Sequence, residues 1–237
     1  MQCNIDQRGR AIRRNGGILC LILAVASFGA AYSGIARGVF LSVGAGLILQ
    51  LDSPDLGLGR HMMFKDRSDA DYLKAIGRHV EVLNHALRNV PAERCRMHVC
   101  WGNYEGPHHC DVEMEVILPT LMRAKPAGLL FETANPRHQH DWAAFEAYLP
   151  RIPADKVLIP GVIDSTTNFI EHPKVVAQRL MTFANVFGRE RIIAGTDCGF
   201  STFAGFGAVD PDIVWMKLRS LAEGAELAST GRVRIAA

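Results

Sequence analysis

The sequence predicts an α/β fold, in which short apolar strands alternate with amphipathic helices along most of the chain. Apolar runs of strand length recur from about residue 44 onward, a segment with helical periodicity follows each run, and acidic, histidine or cysteine residues stand where the runs end. The 237 residues, 49% of them hydrophobic, are enough to bury a substantial core. Strands that alternate with helices in this way pair in parallel, so we expect a parallel sheet covered by helices.

The first predicted unit begins with residues 47–52, an apolar run that ends at the carboxylate of Asp52. The Ser-Pro pair that follows turns the chain. A helix is predicted from residue 69, because Ser68 is a suitable N-cap and Asp71 stands three residues later. Apolar residues spaced three or four apart predict its buried face, namely Leu73, Ile76, Val80, Leu83 and Leu87.

Four further units repeat this pattern and bring the number of βα units to about five. Their predicted strands are residues 95–100, 128–132, 157–164 and 191–196. Their predicted helices lie near residues 111–124, 140–149, 173–187 and 210–228. A closed (β/α)8 TIM barrel needs eight such units. The chain is therefore predicted to form either an open doubly wound sheet or a partial barrel made of the C-terminal units.

The N-terminal residues do not share this pattern, and we predict that an atypical segment, 1–43, precedes the α/β domain, 44–237. Residues 1–16 contain four arginines and one acidic residue, Asp6, and residues 15–36 carry no charge. A basic flank followed by an apolar run is typical of a signal peptide or a single membrane span. Membrane contact through residues 15–36 is therefore one interpretation. A buried helix and an aberrant start spliced onto a truncated enzyme are the others.

Charge and cysteine usage exclude several classes of function. The 26 basic and 24 acidic residues are interspersed and give a formal net charge of +2, so no concentrated basic face predicts a nucleic-acid partner. The six cysteines include no CxxC pair, and a chain of this length does not need disulfide staples. We expect thiols or metal ligands in the cytoplasm, unless the N-terminal segment attaches the chain to a membrane. Phosphate-binding glycine motifs and a Gly-x-Ser-x-Gly elbow do not occur.

Candidate functional residues stand at the carboxyl ends of the predicted strands, where parallel β/α folds carry their reactive groups. His98 and Cys100 lie two residues apart in an extended segment, so their side chains point to the same face. Glu132 ends the next strand and Cys198 follows the last. Two thiolates, an imidazole and a carboxylate form a donor set that suits tetrahedral Zn²⁺. The alternative is that the cysteines are small buried hydrophobes and the carboxylate is a structural acceptor.

Other polar residues near these strand ends have two interpretations each. Asp164 and Asp197 are candidate catalytic residues that would orient ligands or move protons, and Asp164 could equally cap the turn that follows it. His108 and His109 are placed to line the mouth of the site. His138 and His140 lie in a polar stretch just after Glu132, so we expect them at the surface or facing a substrate.

Taken together, these residues resemble the catalytic domain of the cobalamin-independent methionine synthases. The sequence looks more closely like the shorter bacterial relatives of that domain, a group that includes epoxyalkane:coenzyme M transferase. The resemblance covers about residues 44–230, and its motifs agree in order and approximate spacing. The matching stretches are LQLDSPD at 49–55, MHVC at 97–100, LFET at 130–133, IPGVID at 159–164 and GTDCGF at 195–200.

The resemblance implies a (β/α)8 barrel and a zinc ion that binds and activates a thiol substrate. The family's zinc ligands correspond to His98, Cys100, Glu132 and Cys198, and the aspartate that contacts the amino group of homocysteine corresponds to Asp52. The implied activity is zinc-dependent transfer of a methyl or other alkyl group to a thiol. It resembles that of 5-methyltetrahydropteroyltriglutamate-homocysteine S-methyltransferase in methionine biosynthesis. The implied partners are a homocysteine- or coenzyme M-like thiol and an alkyl donor.

Three departures from the family leave other functions open. The methionine synthases carry a proton-donating histidine shortly after the strand that ends at Asp164, and residues 165–168 contain none. The family's early strands have no counterpart, and residues 1–43 do not resemble the family. An epoxide:thiol transferase is one alternative, and a truncated zinc-binding remnant without catalysis is another. Missing strands would leave unpaired sheet edges, so we also consider a homo-oligomer that pairs these edges.

Overall fold

The computed structural model of the protein describes residues 48–201, 207 and 209–231. Nearly all of these belong to one unit, which comprises Gln50–Thr202 and Gly207–Ala237. The predictions for residues 1–43, including membrane contact through residues 15–36, lie outside the described residues. Within the described ranges, none of the helices combines the length and the apolar character that crossing a bilayer requires.

A parallel sheet forms the centre of the fold, and its strands follow one another in chain order without reversal. The strands are β1 (Leu49–Asp52), β2 (Cys95–His98), β3 (Gly128–Phe131) and β4 (Val157–Pro160). In the register of the sheet, His98 lies opposite Leu130, which in turn lies opposite Ile159. A doubly wound sheet would reverse its strand order at a switch point. The uninterrupted order is that of a barrel, so the fold is consistent with a partial TIM barrel.

Helices connect the strands and cover the sheet. They are α1 (Gly59–Met63), α2 (Asp69–Ala86), α3 (Met114–Leu121), α4 (Trp142–Tyr148), α5 (Pro173–Phe187) and α6 (Pro211–Ser229). Local sequence determines where several of them begin. Ser68 accepts a hydrogen bond from the Asp71 amide at 3.1 Å and so caps α2, as predicted. Helix α5 begins at Pro173 and is followed by Gly188, which has the positive φ of 84° that favours glycine. The short helix α1 was not predicted.

The fifth predicted strand is reduced to two isolated points of pairing. Ile192 forms a parallel bridge with Leu158, and Gly195 forms one with Gly161. The reason lies in β4, which ends at Pro160. Proline has no amide hydrogen, so β4 loses a donor in the middle of the ladder that a continuous fifth strand would need. The segment still runs beside β4 and brings residues 197 and 198 to the carboxyl edge of the sheet.

Two apolar clusters fix the sheet between its helices. The larger one packs the inner faces of α2 and α3 against the sheet and includes Tyr72, Ile117 and Phe131. The smaller one joins α5 to the segment after β4 and includes Val162 and Val176. These apolar contacts fix the positions of the strand ends, which carry the polar side chains described below.

Candidate metal centre

Four donor side chains converge at the carboxyl edge of the sheet. The sulfur atoms of Cys100 and Cys198 lie 3.2 Å apart. The His98 Nε2 atom lies 3.5 Å from the Cys198 sulfur, and so does the Glu132 Oε1 atom. The donor atoms of His98, Cys100 and Cys198 all lie within 4.8 Å of one another, and all four residues are buried. The structure thus brings together the four residues that the sequence analysis predicted as zinc ligands.

The spacing of these donors suits a tetrahedral zinc ion. With Zn–S bonds of about 2.3 Å and Zn–N or Zn–O bonds of about 2.0–2.2 Å, ideal ligand pairs would be about 3.5 Å apart for S with N or O, and about 3.8 Å for two sulfurs. The two 3.5 Å contacts of Cys198 match the first value. The sulfur–sulfur distance of 3.2 Å is shorter than the second value by about 0.6 Å.

The electrostatics of the cluster also favour a cation. The hydrogen bond from Cys198 lowers the pKa of Cys100 to about 4, and this shared proton, together with burial, raises the pKa of Cys198. Burial raises the pKa of Glu132 well above its ordinary value, and the charges of Asp197 and Cys100 add to the rise. Burial and the negative charge of Cys100 therefore oppose the ionisation of both Cys198 and Glu132. A bound cation would offset that repulsion and allow all of them to ionise.

His98 has the one buried side-chain nitrogen or oxygen without a hydrogen-bond partner within the described part of the chain, its Nδ1 atom. A buried polar atom without a partner costs about 1–3 kcal/mol, and native structures contain few of them. The other ring nitrogen, Nε2, lies 3.5 Å from the Cys198 sulfur, so its contact is with another donor of the cluster. The imidazole is therefore available to a metal bound among these donors.

Glu132 is held in place by two neighbours. The Trp101 amide donates a hydrogen bond to Oε1 at 2.9 Å, and the Asn135 side-chain amide donates one to Oε2 at 2.8 Å. The backbone of Gly102 similarly donates to the Cys100 sulfur at 3.2 Å. These bonds come from the loops that follow β2 and β3, so the same loops that carry the donors also orient them.

Asp197 connects the Cys198 segment to the loop after β3. Its carboxylate accepts hydrogen bonds from the amides of Thr133, Ala134 and Asn135 at 2.9, 2.8 and 2.8 Å. Burial raises the pKa of Asp197 to about 7, although the three amide bonds oppose the rise. The contacts support an orienting role for this carboxylate. Its predicted part in proton movement stays a prediction.

Asp164 and Asp52 occupy different positions relative to the cluster. The Asp164 carboxylate accepts from the Thr166 amide at 2.7 Å and the Thr167 hydroxyl at 3.3 Å, so it caps the turn after β4. This is one of its two predicted interpretations. Asp52 ends β1 and is exposed. Desolvation raises the pKa of Asp52, with smaller effects from His98 and Cys100, which places this carboxylate in the electrostatic surroundings of the cluster.

A cavity of about 440 Å³ opens beside the cluster. Its lining includes Glu132 and Cys198 of the cluster, together with Tyr104, His108 and Arg137. A cavity of this size accommodates a small organic molecule. His108 therefore lines the cavity, as expected, whereas His109 is not among the lining residues. Tyr104 and Arg137 were not predicted as lining residues.

The expectation for His138 is wrong, because its side chain is buried. The imidazole lies between two carboxylates, with Nδ1 2.9 Å from Asp141 and Nε2 3.2 Å from Asp111. Burial opposes its charged form, but the hydrogen bonds to Asp111 and Asp141 outweigh that effect and raise the pKa of His138 to about 9. Asp141 follows His138 by three residues, so the sequence could have indicated this pair. Asp111 belongs to another loop, and no local pattern predicts their meeting. His140 is exposed, as expected.

The fold and the donor set define a class: a parallel β/α protein with a candidate metal centre at the carboxyl ends of its strands. Among solved structures, the chain is similar to a B12-independent methionine synthase from Shewanella sp. W3-18-1, whose structure contains selenomethionine. The sequences are 18% identical and the TM-score is 0.55. The similarity covers 81% of this chain and 51% of that chain, so this chain spans about half of its length. No protein-family model and no curated protein matches the chain. The structural similarity supports the barrel fold.

Proposed function

We propose that the protein binds one Zn²⁺ ion through His98, Cys100, Glu132 and Cys198 and uses it to transfer a methyl or other alkyl group to a thiol. The observation that carries this proposal is the convergence of His98, Cys100 and Cys198 in one buried cluster at the carboxyl edge of a parallel sheet, with Glu132 in contact with the Cys198 sulfur. The neighbouring cavity leaves room for an organic substrate beside the cluster.

The chemistry follows from the properties of thiols. A free thiol has a pKa of about 8.5, and only its thiolate is a good nucleophile. When bound, Zn²⁺ would keep the sulfur of a thiol substrate deprotonated at neutral pH. Two cysteine thiolates and the Glu132 carboxylate would leave the zinc site with a net negative charge. That charge keeps electron density on the substrate sulfur.

Three aspartates would bind the substrate and position the loops around the site. Asp52 would bind the amino group of a homocysteine-like thiol, as the family resemblance implies. Asp197 would hold the loops of Glu132 and Cys198 together, and Asp164 would shape the turn that borders the cavity. The alkyl donor would occupy the cavity between Tyr104 and this turn.

An epoxide is a second candidate for the alkyl donor. The residues that follow Asp164 along the cavity are Ser165, Thr166 and Thr167, and none of residues 165–168 is a histidine. Their hydroxyl groups donate to Asn103 and Asp164, and one of them would have to turn toward an epoxide oxygen in order to donate to it. A coenzyme M-like thiolate would then attack an epoxide carbon, the ring C–O bond would break, and the resulting alkoxide would take up a proton to give a hydroxyalkyl thioether. In methyl transfer, a homocysteine-like thiolate would attack the methyl carbon, and the bond from that carbon to the donor would break to release the demethylated donor.

Zinc content tests the ligand assignment. We expect about one zinc ion per chain in the purified protein and much less in a Cys198→Ser variant, because the hydroxyl is a far weaker ligand than a thiolate. Cys95→Ser is the matched control, since Cys95 is buried in the core, away from the donor cluster. Metal analysis of folded samples provides the measurement. Unchanged zinc in Cys198→Ser would overturn the assignment.

Product analysis separates the functional alternatives. The zinc-loaded protein is incubated with homocysteine or coenzyme M and with a methyl-folate or a short epoxide, and the thioether product is detected by mass spectrometry. A methyl thioether supports methyl transfer, and a hydroxyalkyl thioether supports the epoxide reaction. Stoichiometric zinc without any thioether would leave a zinc-binding remnant and refute the proposed transfer.

A further inference from the structure

His138 forms a buried ionic cluster beside the candidate metal centre. It is 3% exposed, and the side chains of Asp111 and Asp141, which flank it, are 1% and 2% exposed. Asp111 also binds His61 and His108, at 3.3 and 2.7 Å. One carboxylate thus joins side chains from α1, from the loop after β2 and from the loop after β3. Neither Asp111 nor Asp141 belongs to the proposed ligand set.

The ring of His138 packs on the residue that orients Glu132. Its centroid lies 4.3 Å from that of Trp101, and the ring planes are inclined by 35°. The Trp101 indole is fully buried, and its Nε1 donates to the Val112 carbonyl at 2.8 Å. The Trp101 amide donates to Glu132 Oε1 at 2.9 Å. A continuous chain of contacts therefore leads from the two carboxylates through His138 and Trp101 to Glu132.

We propose that His138 is a positioning residue for the metal centre: fixed between Asp111 and Asp141, its ring holds Trp101 so that the Trp101 amide remains on the Glu132 carboxylate. The inference rests on the metal-binding part of the proposed function. In other metalloproteins, removal of a residue that orients a metal ligand typically weakens metal binding by about 10–100-fold.

One feature distinguishes this role from simple packing. A buried cluster of charged groups is expensive to form, and hydrophobic residues of similar volume often stabilise a protein as well or better. Stability alone therefore does not explain why this ionic cluster lies beside the metal-binding residues.

The test compares two histidine variants that break different contacts. His138→Phe keeps an aromatic ring of similar size on Trp101 but removes the charge and both hydrogen bonds. His61→Phe is the matched control, because it removes a different histidine from Asp111 and leaves the Trp101 contact intact. In full-length protein, zinc affinity is measured by competition with a chromogenic chelator. The coordination shell is monitored through the visible absorption bands of the Co²⁺-substituted form.

We expect His138→Phe to bind zinc about 10–100-fold more weakly and to show altered Co²⁺ bands, with His61→Phe close to the original protein in both measurements. Because His138→Phe leaves two buried carboxylates, circular dichroism checks its folding. Asp141→Asn is the milder second variant, since it keeps the shape and one acceptor of Asp141. It should weaken zinc binding in the same direction by a smaller factor.

The outcomes separate this inference from the proposed function. Folded His138 and Asp141 variants with the zinc affinity and Co²⁺ bands of the original protein would overturn the positioning role while the zinc site stands. Equal losses in the His61 variant would likewise overturn it, because the effect would then belong to the whole Asp111 cluster. Weaker binding in the His138 and Asp141 variants alone supports the role, even if product analysis finds no alkyl transfer. A failure of the original protein to bind either metal would overturn both.

Discussion

Asp197 illustrates how one carboxylate determines the local structure of the candidate site. Its oxygens receive the amides of three successive residues, 133–135, which form the turn directly after Glu132. Hydrogen bonds to a charged acceptor are stronger than those between neutral groups. The same residue precedes Cys198 in the chain. Two of the four proposed ligands therefore depend on this side chain for their relative position.

Removal of this carboxylate should destabilise the fold. We expect Asp197→Ala to lower the free energy of unfolding by about 3 kcal/mol or more, because it leaves buried amides without acceptors. Asp197→Asn, which retains one acceptor oxygen, should cost less. Asp66→Ala is the control, since Asp66 is exposed and should change stability by about 0.5 kcal/mol at most. Urea denaturation measures all three, and equal stability of Asp197→Ala and the original protein would contradict the structural role.

The charge of His138 predicts how stability changes with pH. Its pKa is raised from 6.5 to about 9, so the folded state binds a proton that the unfolded state releases between these values. The stabilisation is complete below pH 6.5 and is lost as the pH rises through about 9. By linkage, the free energy of unfolding should fall by about 3 kcal/mol across this range. Urea denaturation with a metal chelator present, at a series of pH values, measures the slope.

His138→Gln provides the comparison for this slope, because it removes the titrating group. The difference between the original protein and the variant should shrink as the pH rises from 6.5 to 9. A constant difference over that range would show that His138 does not gain its proton on folding.

The sequence predicts the candidate ligands but not the residues that hold them in place. The two-residue spacing of His98 and Cys100 fixes a common face in any extended segment, and parallel strand ends meet at one edge, which brings in Glu132 and Cys198. Asp111 and His138 meet across two loops, and the loop of Asp111 includes His108 at a positive φ of 47°. Such a conformation depends on the finished fold, so sequence periodicity contains no information about it.

At the scale of elements, periodicity predicted the long helices and failed at one strand. Helix α2 begins at residue 69 as predicted, because its cap and its apolar face are both local properties of the sequence. The fifth strand is apolar enough to pair, but pairing also depends on the donor that Pro160 lacks in the neighbouring strand. Element type is thus predictable where it depends on the segment itself. It is less predictable where it depends on the partner.

The packing of α5 against α6 depends on a glycine. A Cβ atom at Gly224 would lie 2.5 Å from Val176 Cβ and 2.9 Å from the Pro173 carbonyl oxygen. Alanine is favoured over glycine within a helix by about 1 kcal/mol. We nevertheless expect Gly224→Ala to lower the free energy of unfolding by about 1–3 kcal/mol, because overpacking against backbone is not relieved by side-chain rotation.

A second substitution tests the mechanism of this effect. Val176→Ala removes the overlap with Val176 Cγ1 and keeps the overlap with Cβ, so the double variant should be modestly more stable than the sum of the two single effects implies. Chemical denaturation of the four proteins provides the double-mutant cycle. Additive effects would show that the Gly224 side of α6 does not pack closely on Val176.

At the scale of the molecule, strand order distinguishes between the two architectures that the sequence left open. Counting βα units alone did not separate a doubly wound sheet from part of a barrel, because both use the same unit. The order β1-β2-β3-β4 without a switch point favours the barrel, and the similarity to a B12-independent methionine synthase structure agrees with it. Strand order depends on contacts between residues far apart in the chain, so local sequence patterns do not predict it.

The predicted boundary at residue 43 has a direct consequence for the metal site. All four proposed ligands, and the residues that hydrogen-bond to Glu132, lie within Gln50–Thr202. We therefore expect a chain that lacks residues 1–43 to fold and to retain about one zinc ion, the same amount as the full-length protein. Metal analysis and circular dichroism of both proteins measure this, with Cys198→Ser in the shorter chain as the control that should lose zinc. A folded shorter chain without zinc would contradict the boundary, because the N-terminal segment would then be required to complete the site.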